Sequence, residues 1–204
     1  MKFTVVMQSL LADYPNSATN KPEKFIRAVE SVINQTYDDW ELIIIADGCQ
    51  VTIDTFFNNF DVSDKLRLFL YEKQEHYKST WPSYCRNVGI EKATGDYILY
   101  LDIDDFYEPD YLWDLSDVID GSLSFVDDIV LHNEKQIRKC NLKRWMCGTS
   151  NVVHKPCKSR WPAISRYAHE DYAFIESLVK EFPDYKILSV AGYVVGHIPK
   201  KYDK

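Results

Sequence analysis

An α/β fold with a mainly parallel sheet is predicted by three features of this 204-residue chain. Short apolar strand patterns alternate with amphipathic helix patterns from the first residues onward. Hydrophobic residues make up 46% of the chain, which is enough for a full core at this length. We find no repeat, low-complexity tract or linker, so we expect one domain over residues 1–204.

The elements follow from the spacing of the apolar residues. The first strand is expected at residues 3–7, and the long polar loop from Gln8 to Lys21 behind it is a candidate lid. Helical spacing predicts helices at 22–33, 53–60, 82–93, 111–119 and 174–182, and apolar runs predict strands at 40–46, 66–71, 97–101, 124–132, 145–153 and 190–198. Strands and helices in this order predict βαβ units in the first half and a less regular second half.

Composition excludes several classes of protein. A net charge of -7 argues against nucleic acid as a partner, because binding the phosphate backbone needs a clustered basic surface. The longest apolar runs are too short for a transmembrane segment, and the first residues lack a signal-peptide cleavage site. Five cysteines without a Cys-x-x-Cys pair favour reduced thiols and a cytoplasmic location.

A zinc site can be drawn from four residues of the second half, but its spacing is poor. Cys140, Cys147, His154 and Cys157 fall within one short stretch. Structural zinc sites pair their ligands two to four residues apart, and only His154 and Cys157 meet that spacing. The pattern therefore disfavours zinc.

Asp102 and Asp104 end an apolar, aromatic-rich run at residues 97–101. Carboxylates that follow a buried strand lie where open α/β sheets place their ligands. Hard oxygen ligands suit Mg²⁺ or Mn²⁺, which bridge protein carboxylates to substrate phosphates. On spacing alone, a solvated acidic turn explains the same residues equally well.

Five ordered blocks resemble those of family-2 glycosyltransferases of the GT-A fold. They are KFIRAVESVINQTY at 24–37, WELIIIADG at 40–48, CRNVGIEKATGDYI at 85–98, LDIDD at 101–105 and HED at 169–171. The resemblance covers Lys2 to about Phe182. The N-terminal stretch is also similar to glycosyltransferases of large chlorella viruses, which implies a viral protein in the host cytoplasm.

The resemblance implies a Rossmann-like, mainly parallel sheet flanked by helices, and a uridine diphosphate sugar as donor. Residues 1–110 would bind the donor, about 111–198 would bind a glycan or other saccharide acceptor, and 199–204 would be a polar tail or linker. The family pattern assigns uracil to Asp47 and the diphosphate to Arg86. Asp102 would face the ribose or the metal ion, and Asp104 would be the direct ligand of Mn²⁺ or Mg²⁺.

Asp171 is the catalytic base that the resemblance implies, and the sugar would be transferred with inversion at its reacting carbon. A carboxylate opposite the leaving group can take the proton of the acceptor hydroxyl. Glu170 is the alternative base, and a helix-capping acid is the plain structural role for either residue. His197 is a candidate third metal ligand, and Asp105 is expected to support the metal ligands or cap a helix.

The chain departs from the family at several positions. Ala46 replaces the first of two aspartates usual at the end of the second strand. Gln8-Ser9-Leu10 replaces a Pro-Thr-Tyr type turn, so Gln8 and Ser9 are weak candidates for donor contacts. Trp145, Cys147-Gly148 and Trp161 are candidates for an acceptor platform or for ordinary core.

Three other classes of protein compete with this interpretation. Phosphatases of the haloacid dehalogenase type also follow an apolar strand with Asp-x-Asp, but normally on their first strand and with Thr or Val where Phe106 stands here. Sugar nucleotidyltransferases need a glycine-rich loop near the N-terminus, which this chain lacks. A catalytically inactive nucleotide-sugar binding module is the third alternative, and it would have no use for Asp171.

Overall fold

The structure, a computed structural model, describes residues 1–14, 17–71, 81–131, 134–143, 147–162 and 170–196. Nine strands lie within these ranges: β1 (Phe3–Ser9), β2 (Trp40–Asp47), β3 (Leu66–Tyr71), β4 (Tyr97–Tyr100), β5 (Phe106–Tyr107), β6 (Leu123–Leu131), β7 (Lys135–Arg138), β8 (Val152–His154) and β9 (Lys186–Val195). The helices are α1 (Lys21–Ile33), α2 (Gln50–Asn59), α3 (Trp81–Lys92), α4 (Tyr111–Val118) and α5 (Glu170–Glu181).

One sheet contains all nine strands. Its order is β3-β2-β1-β4-β8-β6-β9-β5, with β7 paired to β6. The four strands of the first half, β3, β2, β1 and β4, are parallel, so their carboxyl ends meet at one edge. The second half adds antiparallel pairs of β8 with β4 and β6, alongside a parallel pair of β6 and β9. The predicted α/β fold is confirmed.

Alternate side chains of the central strands face opposite sides of the sheet, as the pleat requires. On one side, Phe3, Val5 and Met7 of β1 pack in a cluster with α1, α2 and α4. On the other side, Val6 of β1 packs with residues of β4, α3 and α5. Both faces of the sheet are therefore covered, which explains why these strands read as continuous apolar runs.

Helix α3 lies unusually close to β1 at Gly89. A Cβ atom at this position would lie 2.2 Å from Cγ1 of Val6. Such a contact is impossible for a real side chain, so the glycine sets the distance between helix and strand. The close packing of α3 on β1 therefore fixes the position of the helix relative to the carboxyl edge of the sheet.

The predicted strand at 145–153 is wrong over most of its length. Residues 149–151 form a 3₁₀ turn, and only Val152–His154 is a strand, while Trp145 lies outside the described residues. The buried carboxylate of Asp128 explains the turn. It accepts hydrogen bonds from Ser150 Oγ at 2.6 Å and Asn151 Nδ2 at 3.3 Å, and it pairs with Arg138. These tertiary bonds hold the segment away from an extended conformation.

Smaller differences concern short elements and single residues. Strands β5 and β7 were not predicted, because neither carries an apolar pattern long enough to detect. Phe57 is one of the apolar residues whose spacing predicts α2, but it is 57% exposed. β9 begins at Lys186 and continues through Gly192 without a break, and a side chain at Gly192 would collide with the ring of Tyr111.

Candidate active site

A crevice of about 470 Å³ opens at the carboxyl ends of β1, β2 and β4. Its lining combines three carboxylates, two cations and the first residues of the long loop: Gln8, Leu10, Tyr14, Ala18, Lys21, Asp47, Arg86, Asp102, Ile103 and Asp104. Four of the candidate donor and metal residues that the sequence indicates, Asp47, Arg86, Asp102 and Asp104, therefore meet in one place, together with Gln8. The aspartates meet because they follow parallel strands that end at the same edge, and Arg86 reaches this edge from α3.

Arg86 connects the crevice to Asp171. Its Nη2 donates to Asp102 Oδ1 at 3.0 Å, and its Nη1 lies 3.6 Å from Asp171 Oδ1. The Arg86 side chain is only 8% exposed. Burial lowers the pKa of the guanidinium, but Asp102 and Asp171 outweigh burial and raise it, so the residue is a permanent cation.

Trp161 lies against Arg86 and not in an exposed sugar platform. The guanidinium carbon of Arg86 lies 4.5 Å from the centroid of the indole, and Trp161 is 2% exposed. The side-chain amide of Asn87 binds the main chain of Trp161 twice, accepting from its N–H at 2.8 Å and donating to its carbonyl at 2.9 Å. Of the two roles that the sequence left open for Trp161, its burial fits ordinary core and not an open face for an acceptor.

The turn after β4 is braced by the end of β9. Tyr193 Oη accepts from the Asp102 N–H at 3.1 Å and donates to Asp105 Oδ2 at 2.6 Å. Asp105 Oδ1 accepts from the Gly196 N–H at 2.7 Å. Asp105 is thus a buried brace and caps no helix, and burial raises its pKa to about 8. Sequence reasoning missed Tyr193, since nothing near it in the chain marks it as a site residue.

Two more residues outside the predicted set hold the same turn. Arg27 of α1 donates to the carbonyl of Asp104 at 2.5 Å and stacks over Phe106. Thr149 Oγ1 donates to Asp102 Oδ2 at 3.2 Å. Both come from distant parts of the chain, so only the fold reveals their roles.

Glu170 and Asp171 open helix α5, as the sequence predicts for a first turn. Asp171 is 44% exposed, and Gly148 lies so close that a Cβ there would be 3.3 Å from Asp171 Oδ2. Burial raises the pKa of Asp171, while Arg86 opposes the shift. Glu170 accepts from Ser83 Oγ at 2.9 Å, and burial raises its pKa also. A carboxylate with a raised pKa is suited to accept a proton.

The long loop is held against its neighbours over its described residues. Ser9 is buried, and its Oγ lies 3.0 Å from Thr52 Oγ1. The predicted contact of Ser9 with a donor stays a prediction. Lys21 is 3% exposed, donates to the carbonyl of Ala12 and lies 3.7 Å from Asp13 Oδ1. Lys21 is a crevice cation that sequence reasoning missed, although its place at the start of a helix beside the loop was visible.

The remaining candidates are His197 and the residues that could be drawn as a zinc site. His197 lies outside the described residues, so its role as a metal ligand stays a prediction. His154 is buried with Nε2 2.8 Å from Tyr100 Oη and Nδ1 2.7 Å from the Lys155 carbonyl, which leaves no ring nitrogen for zinc. Cys140 and Cys147 lie with their sulfur atoms 3.6 Å apart.

Comparison with known proteins identifies the family. The sequence profile of Glycosyl transferase family 2 matches residues 17–177. The chain belongs to glycosyltransferase family 2. This family-2 chain is 38% identical over 87 residues to an uncharacterized glycosyltransferase of Haemophilus influenzae, covering 42% of the chain and 33% of that protein. It is 33% identical over 100 residues to a glucosyl-dolichyl phosphate glucuronosyltransferase of Haloferax volcanii, covering 49% and 30%.

Solved structures share the fold of the family-2 chain. S. aureus TarS in complex with UDP-GlcNAc superposes with a TM-score of 0.72 at 17% identity, covering 100% of this chain and 60% of that one. A mannosyltransferase of Pyrobaculum calidifontis in complex with GDP-Man and Mn²⁺ gives 0.67 at 12% identity, covering 98% and 58%. The predicted GT-A fold is confirmed. The chain spans a third or less of the two relatives above and about 60% of these structures.

The family assignment decides between the classes of protein that the sequence left open. A glycosyltransferase is supported over a phosphatase or a nucleotidyltransferase by the profile match. No helix in the described ranges has the length and apolar character needed to cross a membrane. The named relatives come from bacteria and archaea, so the predicted viral origin stays a prediction.

Proposed function

We propose that this chain is a metal-dependent, inverting glycosyltransferase that moves a sugar from a uridine diphosphate sugar to a hydroxyl of a saccharide acceptor. One observation carries the proposal: Arg86 binds Asp102 in the crevice with one side of its guanidinium and faces Asp171 with the other. The proposed donor site and the candidate base are thereby adjacent. We also propose a cytoplasmic location, supported by the five free cysteines.

The residues present fit a magnesium or manganese ion. Asp102 and Asp104 offer hard oxygen atoms on the crevice wall. In the part of the chain that the structure describes, no three His, Cys, Asp or Glu side chains form a metal site by themselves. This suits Mg²⁺ and Mn²⁺, which use one or two carboxylates and fill their other positions with water and substrate phosphates. When bound, the ion would neutralise charge on the departing diphosphate.

Each side chain has a role that its position supports. Asp47 would accept the N–H of the uracil ring, and Arg86 would offer paired N–H donors to the phosphate oxygens. Asp171 would take the proton of the acceptor hydroxyl as the hydroxyl oxygen attacks the sugar carbon. Because attack comes from the side opposite the leaving diphosphate, the single displacement inverts that carbon.

Ligands named for the structural neighbours support a nucleotide-sugar donor. TarS is described with UDP-GlcNAc, and the Pyrobaculum enzyme with GDP-Man and Mn²⁺. The two differ in base and in sugar. We therefore base the preference for uridine on Asp47 and leave the sugar open.

Calorimetry with UDP tests the donor site. We expect UDP to bind in the presence of Mn²⁺, to lose affinity in excess chelator, and to lose Mn²⁺-dependent binding in Asp104→Ala. Asp117→Ala removes an exposed carboxylate on α4 and serves as the control. Equal UDP affinity with and without a divalent ion would refute the metal dependence.

Transfer rates test Asp171 as the base. Asp171→Asn should keep donor affinity and lower transfer by roughly 100-fold to 10,000-fold, the usual contribution of a general base. Glu170→Gln should cost much less, because Glu170 is held by Ser83. An Asp171→Asn protein that binds donor and transfers at the parent rate would instead favour Glu170 as the base, whereas a parent protein that binds donor and transfers no sugar would favour a binding module.

A further inference from the structure

We propose that Trp161 is a positioning residue that aims Arg86 at both Asp102 and Asp171, and that Asn87 fixes it in place. The inference rests on the proposed function only for the roles of Asp102 in the donor site and of Asp171 as the base. Its structural content, an indole that sets the direction of a guanidinium, stands on contacts of the described residues alone.

The first step is the stacking of the guanidinium on the indole. Arg86 and Trp161 lie 4.5 Å apart, measured from the guanidinium carbon to the ring centroid, and both side chains are buried. A cation over an aromatic ring is held more strongly when both groups are desolvated, as they are here. The guanidinium lies over the indole while its Nη2 donates to Asp102 and its Nη1 faces Asp171, so the contact leaves these N–H groups for carboxylates or phosphates.

The second step is the support of the indole. Phe174 stacks on Trp161 with centroids 4.2 Å apart and planes at 20°, and Tyr100 meets it edge-on at 5.2 Å. These rings come from α5 and β4. The indole therefore cannot rotate without disturbing the helix that carries Asp171 and the strand that leads to Asp102.

The third step is the link through Asn87, the residue next to Arg86. Its amide makes both main-chain hydrogen bonds to Trp161, at 2.8 and 2.9 Å. Helix α3 therefore holds the main chain of Trp161 through Asn87, and the indole of Trp161 in turn supports the neighbouring Arg86. In this arrangement Trp161, from the second half of the chain, sets the direction of the Arg86 guanidinium in the first half.

Chemical labelling of Arg86 tests the positioning without any donor. Phenylglyoxal labels accessible arginines, and mass spectrometry can read Arg86 and Arg138 separately. We expect Trp161→Leu to speed labelling of Arg86 about fivefold to tenfold, in line with the loss of one cation–aromatic contact. Trp161→Phe should stay within about twofold of the parent, because a ring remains under the guanidinium.

Arg138, which is paired with Asp128, is the internal control. Its labelling should be unchanged in both variants, whereas partial unfolding of Trp161→Leu would speed both arginines together. Trp113→Leu removes a tryptophan that is 55% exposed on α4 and should change neither. Unchanged labelling of Arg86 in a folded Trp161→Leu protein would overturn the proposal.

A double-mutant cycle then separates positioning from general stability. In Trp161→Leu, affinity for UDP with Mn²⁺ should fall about tenfold, but much less in a background of Arg86→Lys, which lacks the planar group. Equal losses in both backgrounds would indicate a merely structural tryptophan and overturn the proposal. If the parent binds no UDP, the proposed function fails, while the labelling result still decides the role of Trp161.

Discussion

At the residue scale, Asp47 is the side chain best placed to read the nucleotide base. It is the last residue of β2, it is buried to 6% exposure, and its carboxylate lines the crevice. Its neighbour Ala46 occupies the position where a second aspartate is usual in the family. The base would therefore be read by one carboxylate on this strand, and its removal should have a clear effect.

We expect Asp47→Ala to erase a preference for uridine over guanosine diphosphate. Loss of one hydrogen bond to a charged group corresponds to about tenfold to 100-fold in affinity. Competition titrations of UDP against GDP in the two proteins measure the ratio. Asp61→Ala, an exposed carboxylate after α2, should leave the ratio intact. A parent protein with no base preference would show that Asp47 does not read uracil.

At the element scale, the closeness of α3 to β1 controls where Arg86 lies. Gly89 is one helical turn from Arg86 and touches Val6. Any larger residue must push the helix away from the strand, which would move the guanidinium relative to Asp102. The glycine is thus a positional requirement of the site, although it lies in the core.

Gly89→Ala should lower the free energy of unfolding by about 1 to 3 kcal/mol through overpacking. It should also weaken UDP binding, because α3 carries Arg86. Glu91→Ala removes an exposed side chain of the same helix and should change stability by less than about 0.5 kcal/mol. Denaturant titration gives both values, and a Gly89→Ala protein as stable as the parent would contradict the tight fit.

The elements that sequence predicted are those whose pattern is local. Apolar periodicity placed α1 and the parallel strands within a few residues, and the end of each parallel strand located Asp47 and Asp102 in the crevice. The turn at 149–151 depends on Asp128, and the brace of Asp105 depends on Tyr193. Contacts between residues so far apart leave no periodic signal, so sequence reasoning could not supply them.

At the scale of the whole molecule, stability is coupled to pH through the buried histidine between the two halves of the sheet. His154 of β8 pairs with Ile98 of β4, and burial lowers its pKa to about 4. The unfolded chain therefore binds this proton at a higher pH than the folded chain does. The stability that neutral, buried His154 allows is therefore fully present above its ordinary pKa of about 6.5. It is lost as the pH falls towards about 4.

Between about pH 7 and pH 4, we expect the free energy of unfolding of the parent to fall by up to about 3 kcal/mol more than that of His154→Gln. Carboxylates with raised pKa values, such as Asp105 and Asp171, act in the opposite direction but are common to both proteins. The difference between the two pH profiles of unfolding therefore isolates the histidine. Identical profiles would mean that His154 is protonated without cost in the folded state.

The strand order also constrains how the protein reaches its native state. Phe3 of β1 pairs with Tyr97 of β4, so one side of β1 has no partner until the long intervening segment has closed. Parallel pairing over such a separation is slow, because the chain entropy of closing the loop is lost before the contacts form. During that interval the open edge of β1 is a template for pairing with other chains. We therefore expect refolding yields to fall steeply with protein concentration, even where the folded enzyme is stable.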